Sequence, residues 1–201
     1  MVRIALEHSP TKERLLDAAE RLMLAKGFAA TTLDEICEKS KLTKGSFFHY
    51  FESKDQLGKE LLERFCATGE KLHESFCCPL EQDPLKRVFG YIDAAAKFGQ
   101  DPKMRGCLLG LFSQELAETN PGIRDACAKG FEGWKKQFGQ ELAKAKAAHA
   151  TRMAFHPEEL AEHFIAIMEG ALILSKAKQD PAVIGRSMRH FKQYVESFFK
   201  K

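Results

Sequence analysis

The chain reads as an all-α protein of about nine helices, and three observations predict it. Five of its seven prolines (Pro10, Pro84, Pro121, Pro157 and Pro181) directly follow Ser, Asp, Asn or His and open an apolar-periodic run. A first-turn N–H has no intrahelical partner, so proline is tolerated there and marks a helix start. Within those runs apolar residues recur at i, i+3, i+4 and i+7. No segment alternates with period 2 for long enough to make a strand. The 201 residues suffice for a sizeable core.

Taken in order, Ser9 caps a first helix with Pro10 at its first position, and Leu15, Leu16, Ala19, Leu22 and Met23 form its apolar stripe. Gly27 ends it as the left-handed residue beyond the last turn. Thr32 caps a second helix, and Glu35 three residues on completes a capping box. Ser40-Lys41-Leu42 make a tight turn, and Thr43 caps a third, short helix from Lys44 to about Tyr50. On that helix Phe47 and Phe51 fall on the inner face, leaving Lys44, Ser46, His49 and Tyr50 outside. Ser53 and Gln56 open a long helix to about Phe76. Further helices are expected over 84–100, 106–118, 121–148, 157–178 and 181–199. Residues 31–51 thus have helix-turn-helix spacing, in which the helix after the turn enters a DNA major groove.

The charge pattern fits such a module without announcing it. The net charge is only +3, and residues 1–57 carry nine Lys/Arg against nine Asp/Glu. Yet Lys39 to Phe51 hold three lysines, one histidine and no acid, a basic face large enough for a few phosphate contacts.

The stretch Thr43-Lys44-Gly45-Ser46-Phe47-Phe48-His49-Tyr50-Phe51 followed by Ser53-Lys54-Asp55-Gln56-Leu57, with Gly27-Phe28 and Thr31 to Ile36 before it, resembles the signature of TetR-family transcriptional regulators. The strong resemblance covers roughly the first 60 residues; the rest matches in length and helical pattern. It implies a helix-turn-helix DNA-binding domain over 1–52 and a helical effector-binding and dimerisation domain over 53–201. It also implies DNA contact by Thr32, Lys41, Thr43, Lys44, Gly45, Ser46, Phe48, His49 and Tyr50, and by Lys54 as a phosphate clamp. The chain departs from the family pattern twice: Lys41 stands where the turn usually has Gly, and Phe48 where the helix usually has Tyr.

The implied partners are double-stranded DNA with a pseudo-palindromic operator, a second copy of the chain, and a small, largely apolar effector. One short recognition helix reads too few bases, whereas two related by a dyad read both half-sites. In the family the last two helices form the dimer interface. Phe164, Ile167, Met168 and Ala171 on one, with Met188, Phe191 and Val195 on the other, are expected there; the other reading is that they pack within one chain. The family's effector site maps to the apolar middle of the chain, with Phe65, Phe89, Phe112, Phe131, Trp134 and Phe138 as its expected wall.

Six cysteines, at 37, 66, 77, 78, 107 and 127, have no disulfide-framework or CxxC spacing. Cys77-Cys78, with His73 one helical turn before, allows a metal or an oxidant-sensing thiol, although buried or incidental thiols fit better; an alternative to the small-molecule effector is therefore cysteine oxidation. No metal and no cofactor is expected. Met1 to Pro10 has no apolar signal region, and no run approaches the roughly 18 apolar residues of a membrane span. A cytoplasmic protein with reduced thiols and no membrane partner is expected. No GxSxG, Walker loop, HExxH or dinucleotide-binding turn is present, so the chain is not expected to be an enzyme. An all-helical enzyme or ligand carrier with a vestigial head is the lesser alternative.

Overall fold

The computed structural model describes residues 9–76, 81–98 and 106–199. Among them lie nine helices: α1 (Pro10–Lys26), α2 (Leu33–Ser40), α3 (Lys44–Tyr50), α4 (Lys54–Phe76), α5 (Pro84–Phe98), α6 (Leu108–Leu116), α7 (Pro121–Ala148), α8 (Pro157–Lys178) and α9 (Ala182–Phe199). No strand occurs among the described residues, and no described helix is long and apolar enough to cross a membrane.

The helices begin where the local chemistry requires. Ser9 accepts the Thr11 N–H at the start of α1, Asp83 accepts the Leu85 N–H at α5, Asn120 accepts the Ile123 N–H at α7, and Asp180 accepts the Ala182 N–H at α9. Each supplies an acceptor to a first-turn donor that the helix leaves unpaired. At α4 the Gln56 N–H donates to Ser53 Oγ, while the Gln56 side-chain oxygen accepts the Glu52 N–H. Pro157 opens α8 after His156, whose side chain makes no capping bond.

The described residues form two compact units, Met1–Cys66 with Cys107–Ala128, and Ala67–Gly106 with Lys129–Lys201. These bounds differ from a division at 52/53. The first 13 residues of α4, all of α6 and the start of α7 belong to the unit that holds the helix-turn-helix.

In the first unit, Leu15, Ala19 and Met23 of α1, Ile36 of α2, Phe47 of α3, Phe51, and Leu57 and Leu61 of α4 are all fully or almost fully buried. Polar ties cross between elements. Arg64 on α4 reaches Glu13, Asp17 and Glu20 along one face of α1, and Lys12 pairs with Glu60. Asn120 donates to Asp55.

The second unit is organised on rings. Phe138 and Phe164 have no exposed surface and lie 4.8 Å apart. Tyr91 packs on both, and Phe191 on Phe164. α9 packs against α8 and α5. Glu141 is buried here but held between Arg87 (2.8 Å) and Lys144 (2.6 Å). Burial would raise its carboxyl; the two cations outweigh that and keep it below the ordinary range.

Candidate nucleic-acid interface

Three local devices present α3. The first is the capping box of α2: Glu35 N–H donates to Thr32 Oγ1, and Thr32 N–H donates to the Glu35 carboxylate at 2.9 Å. Lys26 binds the same carboxylate. With these bonds, that of Lys26 foremost, the Glu35 carboxyl is held down to about 2.

The second device is the turn. Lys41 sits at φ 55°, ψ 45°, the left-handed region that favours glycine. Its N–H donates to Glu38 O, and Leu42 N–H donates to Cys37 O. That pair of bonds is a Schellman closure, which needs a left-handed residue at this position. The lysine therefore takes the glycine's conformation rather than reshaping the turn, and its side chain is exposed. The third device is Thr43, whose Oγ1 accepts the Ser46 N–H at 3.1 Å and lies 3.1 Å from Ser46 Oγ.

Phe47 and Phe51 are buried under α3. Lys44, Gly45, Phe48 and His49 are exposed, Phe48 at 55%. Ser46 and Tyr50 are half-buried. Tyr50 Oη lies 2.9 Å from Ser9 Oγ, so this hydroxyl ties α3 to the start of α1. Gly45 has open surroundings: an added Cβ would meet only Thr43 Oγ1, at 3.6 Å.

Two lysines of the expected contact set have partners within the chain. Lys54 does not point its ammonium outward. It donates to Phe28 O (3.0 Å) and Thr31 O (2.9 Å) and lies over the Phe28 ring. Its charge satisfies loop carbonyls at the α1–α2 connection. Lys44, in contrast, is exposed and paired only at the surface, with Asp34 at 2.8 Å. That hydrogen bond raises the lysine above its ordinary range and keeps it charged. Sequence reasoning missed Asp34. The two residues lie ten apart on different helices, and no periodicity links them.

The residues expected to wall an effector site are divided between the two units. Phe65 and Phe112 belong to the first unit, where Phe112 is fully buried and meets the Phe28 ring edge-on at 5.2 Å. Phe89, Phe131, Trp134 and Phe138 belong to the second unit. Phe138 is interior core, while the other three are half-buried on it. Trp134 Nε1–H donates to Tyr91 Oη at 2.6 Å. An open cleft of about 260 Å³, lined by Ala154, Phe155, His156, Glu159, Leu160, His163, Tyr194 and Phe198, contains none of the six.

The seven residues expected at the dimer interface all pack in one cluster of the second unit. Phe164, Met168, Ala171, Met188, Phe191 and Val195 are all buried inside their own unit, and Ile167 packs against them. That packing has a simple cause. A helix in a small bundle buries its most regular apolar stripe against its own neighbours first. The exposed large apolar residues of α8 and α9 are Ile173, Leu174 and Tyr194.

The metal idea rested on Cys77 and Cys78, which lie outside the described residues. His73 is buried against the Tyr91 ring, and burial lowers its pKa. No group of three or more His, Cys, Asp or Glu among the described residues is arranged to hold a metal. Cys37, Cys107 and Cys127 are buried, and burial pushes the Cys37 and Cys127 thiols up.

A short capped helix presented after a left-handed turn, on a chain of packed helices, defines a helix-turn-helix DNA-binding protein. Comparison with known proteins gives the family. The profile of the tetR family of bacterial regulatory proteins matches residues 15–61. That of the tetracyclin repressor-like C-terminal domain matches residues 84–191. The chain belongs to the TetR family of DNA-binding transcriptional regulators. It is 28% identical over 190 residues to the HTH-type transcriptional repressor NemR of Escherichia coli K12, covering 94% of this chain and 95% of NemR. It is 26% identical over 177 residues to the repressor DhaR of Mycobacterium sp. strain GP1, covering 87% of each. The crystal structure of a regulatory protein TetR from Rhodobacter sphaeroides superposes with a TM-score of 0.84 at 27% identity, over 94% of this chain and all of that one. Reduced E. coli NemR superposes with a TM-score of 0.80 at 27% identity, over 92% and 96%.

Proposed function

We propose that the chain is a homodimeric repressor whose two copies of α3 read a pseudo-palindromic operator and release it when a small, largely apolar effector binds. The observation that carries this reading is the outer face of α3: Lys44, Gly45, Phe48 and His49 stand exposed over a fully buried Phe47. Lys44 and Lys41 supply phosphate contacts, with Thr32, Thr43 and Ser46 at the flank. His49 and Tyr50 face base edges, and Phe48 packs on a thymine methyl or sugar. The dimer forms through the exposed apolar residues of the last helix pair, Ile173, Leu174 and Tyr194. Phe89, Phe131 and Trp134 wall the effector site. The protein acts in the cytoplasm, without enzymatic activity of its own. By linkage, the effector weakens operator affinity by the factor by which operator weakens effector affinity.

The test is a salt-titrated binding assay of the purified protein against duplexes enriched from a random-sequence pool, with a scrambled control. A half-site spacing near one duplex turn, roughly 34–36 Å, is expected, together with a steep salt slope. Equal affinity for enriched and scrambled duplexes would overturn the reading.

One comparison favours a second trigger. A solved relative, NemR, is described in a reduced form, and this chain carries six cysteines. In this reading oxidation of a thiol replaces the small molecule. Peroxide would release the operator from the native protein and not from Cys77→Ser/Cys78→Ser; release that ignores every cysteine substitution would discard it.

A further inference from the structure

The loop between α1 and α2 is held by an element outside the helix-turn-helix. Glu115, on α6, accepts the Phe28 N–H at 2.7 Å and the Ala29 N–H at 2.6 Å. On the same loop Lys54 takes the Phe28 and Thr31 carbonyls, and Thr31 Oγ1–H donates to Gly27 O. Donors and acceptors of the loop are thus bound by opposite charges from two different helices. Carboxylate-to-amide bonds of this length are charge-assisted and stronger than neutral ones.

The packing reinforces the tie. Phe112, one turn before Glu115 on α6, meets Phe28 edge-on. On α4, a Cβ added to Gly58 would lie 2.9 Å from the Phe28 ring. Gly27, at φ 94°, is close enough that a Cβ would meet the Glu115 carboxylate at 3.0–3.2 Å. The residue after this loop, Thr32, caps α2, and α2 leads through the Lys41 turn into α3. A displacement of the loop is therefore carried into the helix that faces DNA.

We propose that Glu115 is a positioning residue for DNA binding, through which α6 sets the α1–α2 loop and hence the pose of α3. This rests on the reading that α3 enters the operator. An α6 shift of about an ångström would lengthen both bonds beyond hydrogen-bonding range, so this carboxylate is a joint at which a change in α6 reaches the head.

The test compares Glu115→Gln with the native protein on one enriched duplex. It reads operator Kd across salt, melting temperature, and hydrogen exchange at the Phe28 and Ala29 amides. The amide side chain keeps the shape but offers one neutral acceptor for two donors. The expected result is faster exchange at both amides and about a tenfold weaker Kd, the equivalent of one lost hydrogen bond. The salt slope is expected to stay unchanged, because no phosphate contact is removed. Faster exchange with Kd within twofold of native would overturn the proposal and leave Glu115 a simple loop cap. A fallen salt slope would overturn it too. Should Glu115→Gln fail to fold, exchange at the two amides of the native protein is compared free and operator-bound. Slowing in the complex supports the proposal; unchanged exchange overturns it. Native protein that enriches no duplex is the separate failure of the DNA reading.

Discussion

The two compact units are held together in different ways. In the first, short helices meet over a modest aliphatic and phenylalanine core, and charged side chains fix their connections: Glu115 and Lys54 on the α1–α2 loop, Arg64 along α1, and the Glu35 box under Lys26. In the second, interlocked rings around Phe138 and Phe164 dominate, with the Arg87–Glu141–Lys144 cluster as its buried polar tie. Directional charge-assisted bonds hold a presented helix in one orientation, whereas an apolar core tolerates a repacked interior when volume and patterning are kept. A unit that must offer α3 in one pose uses the former. The unit to which we assign the effector uses the latter.

The largest effect expected from this contrast is in the ring core. Phe164→Ala would cost about 3–5 kcal/mol, read by denaturant unfolding followed through Trp134, the single tryptophan, whose ring lies 5.9 Å from Phe164. A loss under 1 kcal/mol would mean that the rings are not the core's main support.

Next comes Lys54. Removing its two bonds to carbonyls by Lys54→Ala would cost of order 2 kcal/mol, the range for hydrogen bonds to a charged donor. Its melting curve measures this directly, and an unchanged curve would return Lys54 to the DNA. Thr32→Ala, which removes only the α2 cap, would cost about 1 kcal/mol; a Thr32→Ser protein melting like the native one would assign the effect to the hydroxyl.

The smallest effect is electrostatic. The Glu35 carboxyl is held down to about 2 in the folded chain, below its unfolded value, so the unfolded state binds its proton first. Its contribution is complete above the ordinary glutamate range of about 4.3 and fades as pH falls toward 2. Stability measured from pH 5 to 2 should fall less steeply in Glu35→Gln than in the native protein. Parallel curves would show that the carboxylate contributes nothing through its charge.

The same contrast explains what could be read from the sequence. The caps of α1, α2 and α3 and the place of the tight turn at 40–42 were legible because their partners lie within five residues, and local spacing carries them; the left-handed backbone of Lys41 came only from the structure. The Glu115 and Asp34 ties were not, because their partners lie 86 or 87 and 10 residues away and leave no period. The stripes of α8 and α9 announced burial but not the surface that buries them. Phe164 and Phe191 face their own unit, while Ile173 and Tyr194, off the regular stripe, and Leu174, at its C-terminal end, are left exposed. At Lys54 the motif matches, but its bonds to the Phe28 and Thr31 carbonyls, 26 and 23 residues away, leave no local signal.

The central claim is that Lys44 on α3 meets the DNA backbone while Lys54 supports the loop behind it. The most direct test is the salt dependence of operator affinity for Lys44→Ala and Lys54→Ala beside the native protein. Each phosphate contact contributes about 0.9 to the slope of log K against log salt. Lys44→Ala should lower the slope by about 0.9 per copy of the chain, and Lys54→Ala should leave it unchanged. A slope that falls with Lys54→Ala and holds with Lys44→Ala would contradict the account.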